Sequence, residues 1–239
     1  MTIQIYELCG ADPKHLFSPH CWKIRMAVAH KGLAWETIPV PFTKVAGIEG
    51  GESRRIPVIR DGETVVEESY EIAKYLEANY ADKPSLFGGE GGEGGEGGEG
   101  GEALTLQIIN WTQVSLHPEV AKLCLMDIYN SLAPVDQEFF RASREKMFGC
   151  TLEEFSSKHP KNAEALNKAL TPLELTLKKQ SYIGGSTPLF ADYVVFGALQ
   201  WLNTTSSVDY LSGNTKVSSW FDSLLDMYDG MGRKGKVAA

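Results

Sequence analysis

The chain has 239 residues, 43% apolar and 10% aromatic, which excludes global disorder and supports one large domain or two small ones. Its net charge of −8 is local: residues 88–102 repeat Gly-Gly-Glu and hold 5 of the 31 acids, while the other 224 residues carry 26 acids against 23 bases. That balance argues against sequence-independent nucleic-acid binding, and no run approaches the roughly 20 apolar residues of a membrane span.

The N-terminus lacks the basic start and long apolar core of a secretory signal. Cysteines at 9, 21, 124 and 150 form neither a disulfide framework nor zinc-like spacing. The expectation is a cytoplasmic protein that binds no metal.

In chain order, Ile3 and Ile5 alternate with polar residues and predict a strand over 2–8. A helix opens at Pro19, favoured in a first turn, and stops at His30-Lys31-Gly32, where cations meet the negative end of the helix dipole. Residues 35–40 read as a second strand. Ile56-Pro57-Val58-Ile59 and Thr64-Val65-Val66, joined through Asp61-Gly62, read as a hairpin. Ser69 then caps a helix that carries Ile72, Ala73 and Leu76 and ends near Tyr80. The order is β-α-β-(α)-β-β-α.

Beyond the repeat every segment reads as helix: 104–116, 120–130, 134–147, 152–155, 163–179, 190–202 and 217–227. Breaks fall at Pro118, Pro134, Pro160, Gly184-Gly185 and Gly213. The expected organisation is an α/β domain over 1–84, a flexible linker over 85–102 and an all-helical domain over 103–239. The Gly-Gly-Glu tract repels itself and buries no core, so a solvated loop is expected.

Three motifs carry chemistry. Ser18 stands where the first strand's loop meets the first helix, and a helix N-terminus favours an anion such as a thiolate. The same position also suits a plain N-cap. Glu68-Ser69 precedes a second helix, so its free N–H groups could receive a carboxylate and Glu68 an ammonium. Ile56-Pro57 opens a strand, where a cis peptide would expose the Ile56 backbone to an extended ligand and a trans edge proline is the ordinary alternative. His20 reads as an exposed or packing side chain.

Taken in this order, Ser18-Pro19, Ile56-Pro57-Val58, Glu68-Ser69 and the later Gly184-Gly185…Ala191-Asp192-Tyr193 resemble the glutathione transferase family over nearly the whole chain. Ser18-Pro19-His20-Cys21-Trp22-Lys23, His30-Lys31-Gly32 and Arg55-Ile56-Pro57-Val58-Ile59 closely resemble bacterial lignin β-etherases. They are closer still to the fungal etherase-related transferases, some of which are ligandins. The resemblance implies a thioredoxin-like N-terminal domain and an all-α C-terminal domain.

It also implies roles. Ser18 would stabilise the glutathione thiolate, Ile56 before a cis Pro57 would pair with the cysteinyl residue, and Glu68 and Ser69 would hold the γ-glutamyl end. Lys44 and Arg55 would meet the glycyl carboxylate. Residues 1–60 carry 8 bases and 5 acids, which suits an anionic tripeptide.

The expected activity is conjugation of glutathione to small hydrophobic electrophilic aromatics, with etherase-like cleavage as a further expectation. The alternative is a ligandin that sequesters such compounds with little turnover. Phe17, Trp111 and the cluster around Met126 and Tyr129 are candidate walls of the acceptor site, or plain core. A homodimer follows from the family alone.

Two departures stand out. Ser18 and Cys21 occupy the positions of a Cys-Pro-x-Cys redox motif whose attacking cysteine is replaced, so thioltransferase activity is disfavoured. Leu189 stands where relatives place a capping Ser or Thr three residues before Asp192.

Overall fold

A computed structural model describes residues 2–51, 55–89, 96–159 and 163–235. Strand β1 (Ile3–Leu8) leads to α1 (Pro19–His30), and β2 (Trp35–Val40) returns parallel to β1. A 3-10 segment, Phe42–Gly50, precedes the hairpin of β3 (Val58–Asp61) and β4 (Thr64–Glu67), and α2 (Ser69–Asn79) closes the unit. The mixed sheet has the order β2-β1-β3-β4, with β3 antiparallel to β1.

The apolar alternation of β1 buries Ile3 and Ile5. It also buries Glu7, whose carboxylate receives Arg25 of α1 and Thr37 of β2 at 2.7–2.9 Å. One buried acid thus pins the helix to two strands.

The helical domain comprises α3 (Glu96–Trp111), a π-turn (Thr112–Leu116), α4 (His117–Ser131), α5 (Pro134–Phe148), α6 (Leu152–Lys158), α7 (Glu164–Ala169), α8 (Thr171–Leu177), α9 (Phe190–Thr205) and α10 (Thr215–Lys234). The single helix expected over 163–179 is two short ones, parted at Leu170, with Pro172 in the first turn of the second. Helix α10 is regular only to Met227. Tyr228, Asp229 and Gly230 then take positive φ, and the chain folds back so that Arg233 pairs with Asp222 and Asp226.

The segment expected as a flexible linker differs from that expectation. Leu86 and Phe87 are buried, with the Phe87 ring 5.9 Å from Phe190, and residues from Glu96 onward in the Gly-Gly-Glu tract are helical. The reason is steric as well as conformational. A Cβ at Gly101 would lie 1.8 Å from the Phe87 carbonyl oxygen, so a residue without a side chain lets α3 close against that backbone. Residues 90–95 of the tract lie outside the described residues.

Helices α1 and α9 weld the two domains. A Cβ at Gly197 would sit 2.4 Å from the Pro19 carbonyl oxygen, so glycine allows their close approach. Trp22 packs edge-on against Phe196, and His15 Nε2 meets the Thr204 carbonyl at 2.9 Å. One continuous hydrophobic core runs through both domains.

Candidate functional site

Ser18 is the N-cap of α1, with extended φ/ψ and Pro19 as the first helical residue. Its Oγ accepts the Cys21 amide in a long contact of 3.4 Å, which leaves the hydroxyl proton to donate. The plain N-cap reading of this serine therefore holds, and an accepting N-cap oxygen still carries an O–H able to donate. Ser18 is only 3% exposed and stands where the half-charge of the helix terminus is strongest.

Cys21, one turn on, is buried. Burial first, then the Glu7 charge, pushes its thiol up to about 12, against the Ser18 hydrogen bond. It is no nucleophile at neutral pH.

The Ile56–Pro57 peptide is cis and leads into β3. The Pro57 carbonyl accepts the Glu68 amide at 3.2 Å and so ties the two motifs together. The cap of α2 is Glu68 and not Ser69. The Glu68 carboxylate takes the amides of Tyr70 and Glu71 at 3.1 and 3.3 Å, and Ser69 is the first helical residue.

Sequence reasoning assigned the cap to serine because serine is the commoner choice. The Glu68 backbone sits at φ 75°, a conformation that costs a non-glycine residue about 1–3 kcal/mol and concentrates at ligand sites. Ser69 Oγ donates to Glu68 Oε1 at 3.2 Å. The carboxylate keeps further lone pairs able to accept hydrogen bonds.

Lys44, in the 3-10 segment, and Arg55, before the cis proline, are both exposed. Phe17 is 2% exposed and packs between His15 and Phe42, with ring centroids at 5.3 and 6.2 Å. Trp111, Met126 and Tyr129 are half-buried against the core. Leu189 offers no side-chain acceptor. Asp192 instead gathers the amides of Ile183, Gly184 and Leu189 and the Trp220 indole, all within 3.0 Å.

One array was not foreseen. Lys23, 3% exposed, donates from Nζ to His20 Nδ1 at 3.1 Å, and His20 meets the ring of His117, which meets that of Trp201. Burial lowers Lys23 to about 8 despite the Glu68 charge, and lowers His117 to about 3 with the Lys23 charge adding to the effect. The Nε2 of His117 and the Nε1 of Trp201 are buried without a partner among the described residues. The three-residue spacing of His20 and Lys23 was the available sign, since it places them on one helix face.

A family model described as glutathione S-transferase, N-terminal domain, matches residues 17–79, and one described as glutathione S-transferase, C-terminal domain, matches residues 103–228. Among solved structures, the chain is similar to glutathione transferase GSTFuA3 from Phanerochaete chrysosporium. The identity is 24% and the TM-score 0.79, over 100% of this chain and 99% of that one.

It is also similar to the glutathione S-transferase CsGST63524 of Ceriporiopsis subvermispora, solved in complex with glutathione, at 22% identity and a TM-score of 0.78 over 100% and 99%. Poplar glutathione transferase F1 follows at 18% and 0.64 over 98% of each chain. At these identities the likeness is one of fold. Among the described residues no helix is long and apolar enough to cross a membrane, and no group of His, Cys, Asp and Glu could hold a metal ion. With the C-terminal model alone covering more than half of its length, the chain belongs to the glutathione S-transferase family: it is a glutathione transferase, with glutathione as its co-substrate.

Proposed function

We propose that Ser18 donates its hydroxyl proton as a hydrogen bond to the glutathione sulfur and holds it as thiolate for attack on small hydrophobic electrophilic aromatics. The observation that carries this reading is the Ser18 hydroxyl at the N-terminus of α1, its oxygen accepting the Cys21 amide and its proton able to turn to an incoming sulfur. A free thiol titrates near 8.5. Lowering it by two units needs about 2.7 kcal/mol of preferential thiolate stabilisation. A hydrogen bond to a charged group supplies about 1.5–3 kcal/mol of that, and the helix terminus adds a fraction.

On ionisation the proton passes to water. The sulfur then forms a bond to the electrophilic carbon, and the leaving group departs with its electron pair. In an etherase-like variant of the reaction the leaving group is an aryl oxygen.

Ile56 beside cis Pro57 pairs with the cysteinyl backbone, Glu68 and Ser69 hold the γ-glutamyl end, and Lys44 and Arg55 face the glycyl carboxylate. Phe17 and Trp111 border the acceptor. Exposed Leu104 (70%) and Leu106 (42%) on α3 support assembly as a homodimer, and four cysteines that form no disulfide suit a reducing cytoplasm.

Ser18→Ala should keep the fold and cut turnover of a chloronitrobenzene at pH 7 by about 10- to 100-fold, and should raise the apparent pKa of the bound thiol, read from thiolate absorbance. Unchanged turnover and pKa would remove Ser18 from the mechanism. Tight binding of aromatics with no turnover across a panel of electrophiles would favour the ligandin reading.

A further inference from the structure

The sheet order sets the direction of a bound tripeptide. Glu68 and Ser69 follow β4 at one edge, Ser18 and Pro57 adjoin the central strands β1 and β3, and the segment Phe42–Gly50 leaves β2 at the other edge. Crossing from β4 to β2 covers roughly 14 Å at about 4.8 Å per strand. An extended tripeptide spans about 10 Å of that, and side chains at each edge close the rest. With its γ-glutamyl end at Glu68-Ser69, glutathione directs its glycyl carboxylate toward the start of the Phe42–Gly50 segment.

The helical domain builds the far wall there. The Thr43 amide donates to Asp136 Oδ1 of α5 at 2.8 Å, and the Phe42 ring packs against Phe140 and Phe139 at 5.6 and 6.4 Å. Over these rings lies the guanidinium of Arg144, 4.8 Å from the Phe140 centroid and 6.0 Å from that of Phe42. Arg144 is half-buried, and burial lowers its pKa from the ordinary arginine range.

Among the described residues its hydrogen bond is to the Ser143 hydroxyl at 3.1 Å, and no carboxylate pairs with it. Arg141, one turn earlier, shows the contrast, bonded to both Glu145 and Glu153. The acid on the Arg144 face, Asp136, lies two helical turns back and is engaged by Thr43. An arginine keeps its charge in proteins, and a partly desolvated charge is costly without a counter-ion. A planar guanidinium braced by aromatic rings is also suited to bidentate capture of a carboxylate.

We propose that Arg144, from the helical domain, binds the glycyl carboxylate of glutathione beside Lys44, so that the tripeptide bridges both domains. This rests on the γ-glutamyl end lying at Glu68-Ser69.

The test is calorimetric titration of the full-length protein with glutathione and with its glycyl monoethyl ester, which lacks that negative charge. The expected result is that wild type binds the ester about tenfold more weakly. Arg144→Gln should bind glutathione about tenfold more weakly and leave ester affinity within twofold, and Arg144→Lys should recover part of the loss.

An equal loss for both ligands would mean that Arg144 only packs against Phe42, and would overturn the proposal, as would no loss for either. A wild type that binds acid and ester alike would overturn the placement of the carboxylate. The Ser18 reading would stand in that case, because thiolate absorbance tests it separately.

Discussion

His117 and Ser18 show how far burial governs single residues in this protein. Nothing about His117 in the sequence sets it apart from the other histidines. Its place between the His20 and Trp201 rings pushes its pKa from 6.5 down to about 3. Between those values the native protein binds fewer protons than the unfolded chain, so the contribution to stability is complete above about pH 6.5 and drains away as pH falls. At pH 5 the single group costs about 2 kcal/mol. His117→Phe should therefore lose about 2 kcal/mol less than wild type between pH 7.5 and 5 in urea unfolding. Identical pH profiles would show that His117 is solvated in the native state. Ser18 as the cap of α1 was legible because Pro19 follows it directly; the Lys23–His20–His117 array was not, because His117 joins Lys23 and His20 only when the two domains close.

At the scale of elements, the Gly-Gly-Glu tract separates composition from context. Glycine costs a helix interior about 1 kcal/mol relative to alanine, so the repeat reads as loop. Packing against Phe87 and the stronger helix formers from Ala103 onward carry the last part of it into α3. The glycines are therefore not equivalent. Gly100 faces open space, and Gly100→Ala should stabilise the protein by about 0.5–1 kcal/mol. Gly101→Ala should destabilise it by about 1–3 kcal/mol, since its Cβ would meet the Phe87 carbonyl at 1.8 Å. Denaturant unfolding of the two variants checks the sign, and a gain from both would show that this stretch does not pack as described. Glu68 makes the same point for caps, because it takes a role which local statistics give to serine or threonine.

At the scale of the molecule, the two domains share one core, so a single cooperative unfolding transition is expected. The seam is Gly197 against Pro19, next to the turn that carries Ser18. Gly197→Ala places a Cβ 2.4 Å from a backbone oxygen and must move α9 or the tip of α1. It should cost about 1–3 kcal/mol and weaken glutathione binding several-fold. Calorimetric titration together with urea unfolding tests both, and wild-type values on each would refute the close approach.

The sequence by itself determined the β-α-β-(α)-β-β-α order, the helical second half, the hairpin at Asp61-Gly62 and the places of Ser18, Ile56-Pro57 and Glu68-Ser69. Each depends on residues adjacent in the chain or one helical turn apart, where propensity and capping act locally. Only the tertiary structure decided that Glu68 caps α2, that the Gly-Gly-Glu tract from Glu96 onward is helical beside Phe87, that Lys23 and His117 are buried side by side, and that Arg144 lies over Phe42 with no carboxylate partner among the described residues. Those outcomes turn on desolvation and steric approach between segments tens of residues apart, and neither quantity exists until the two domains are packed.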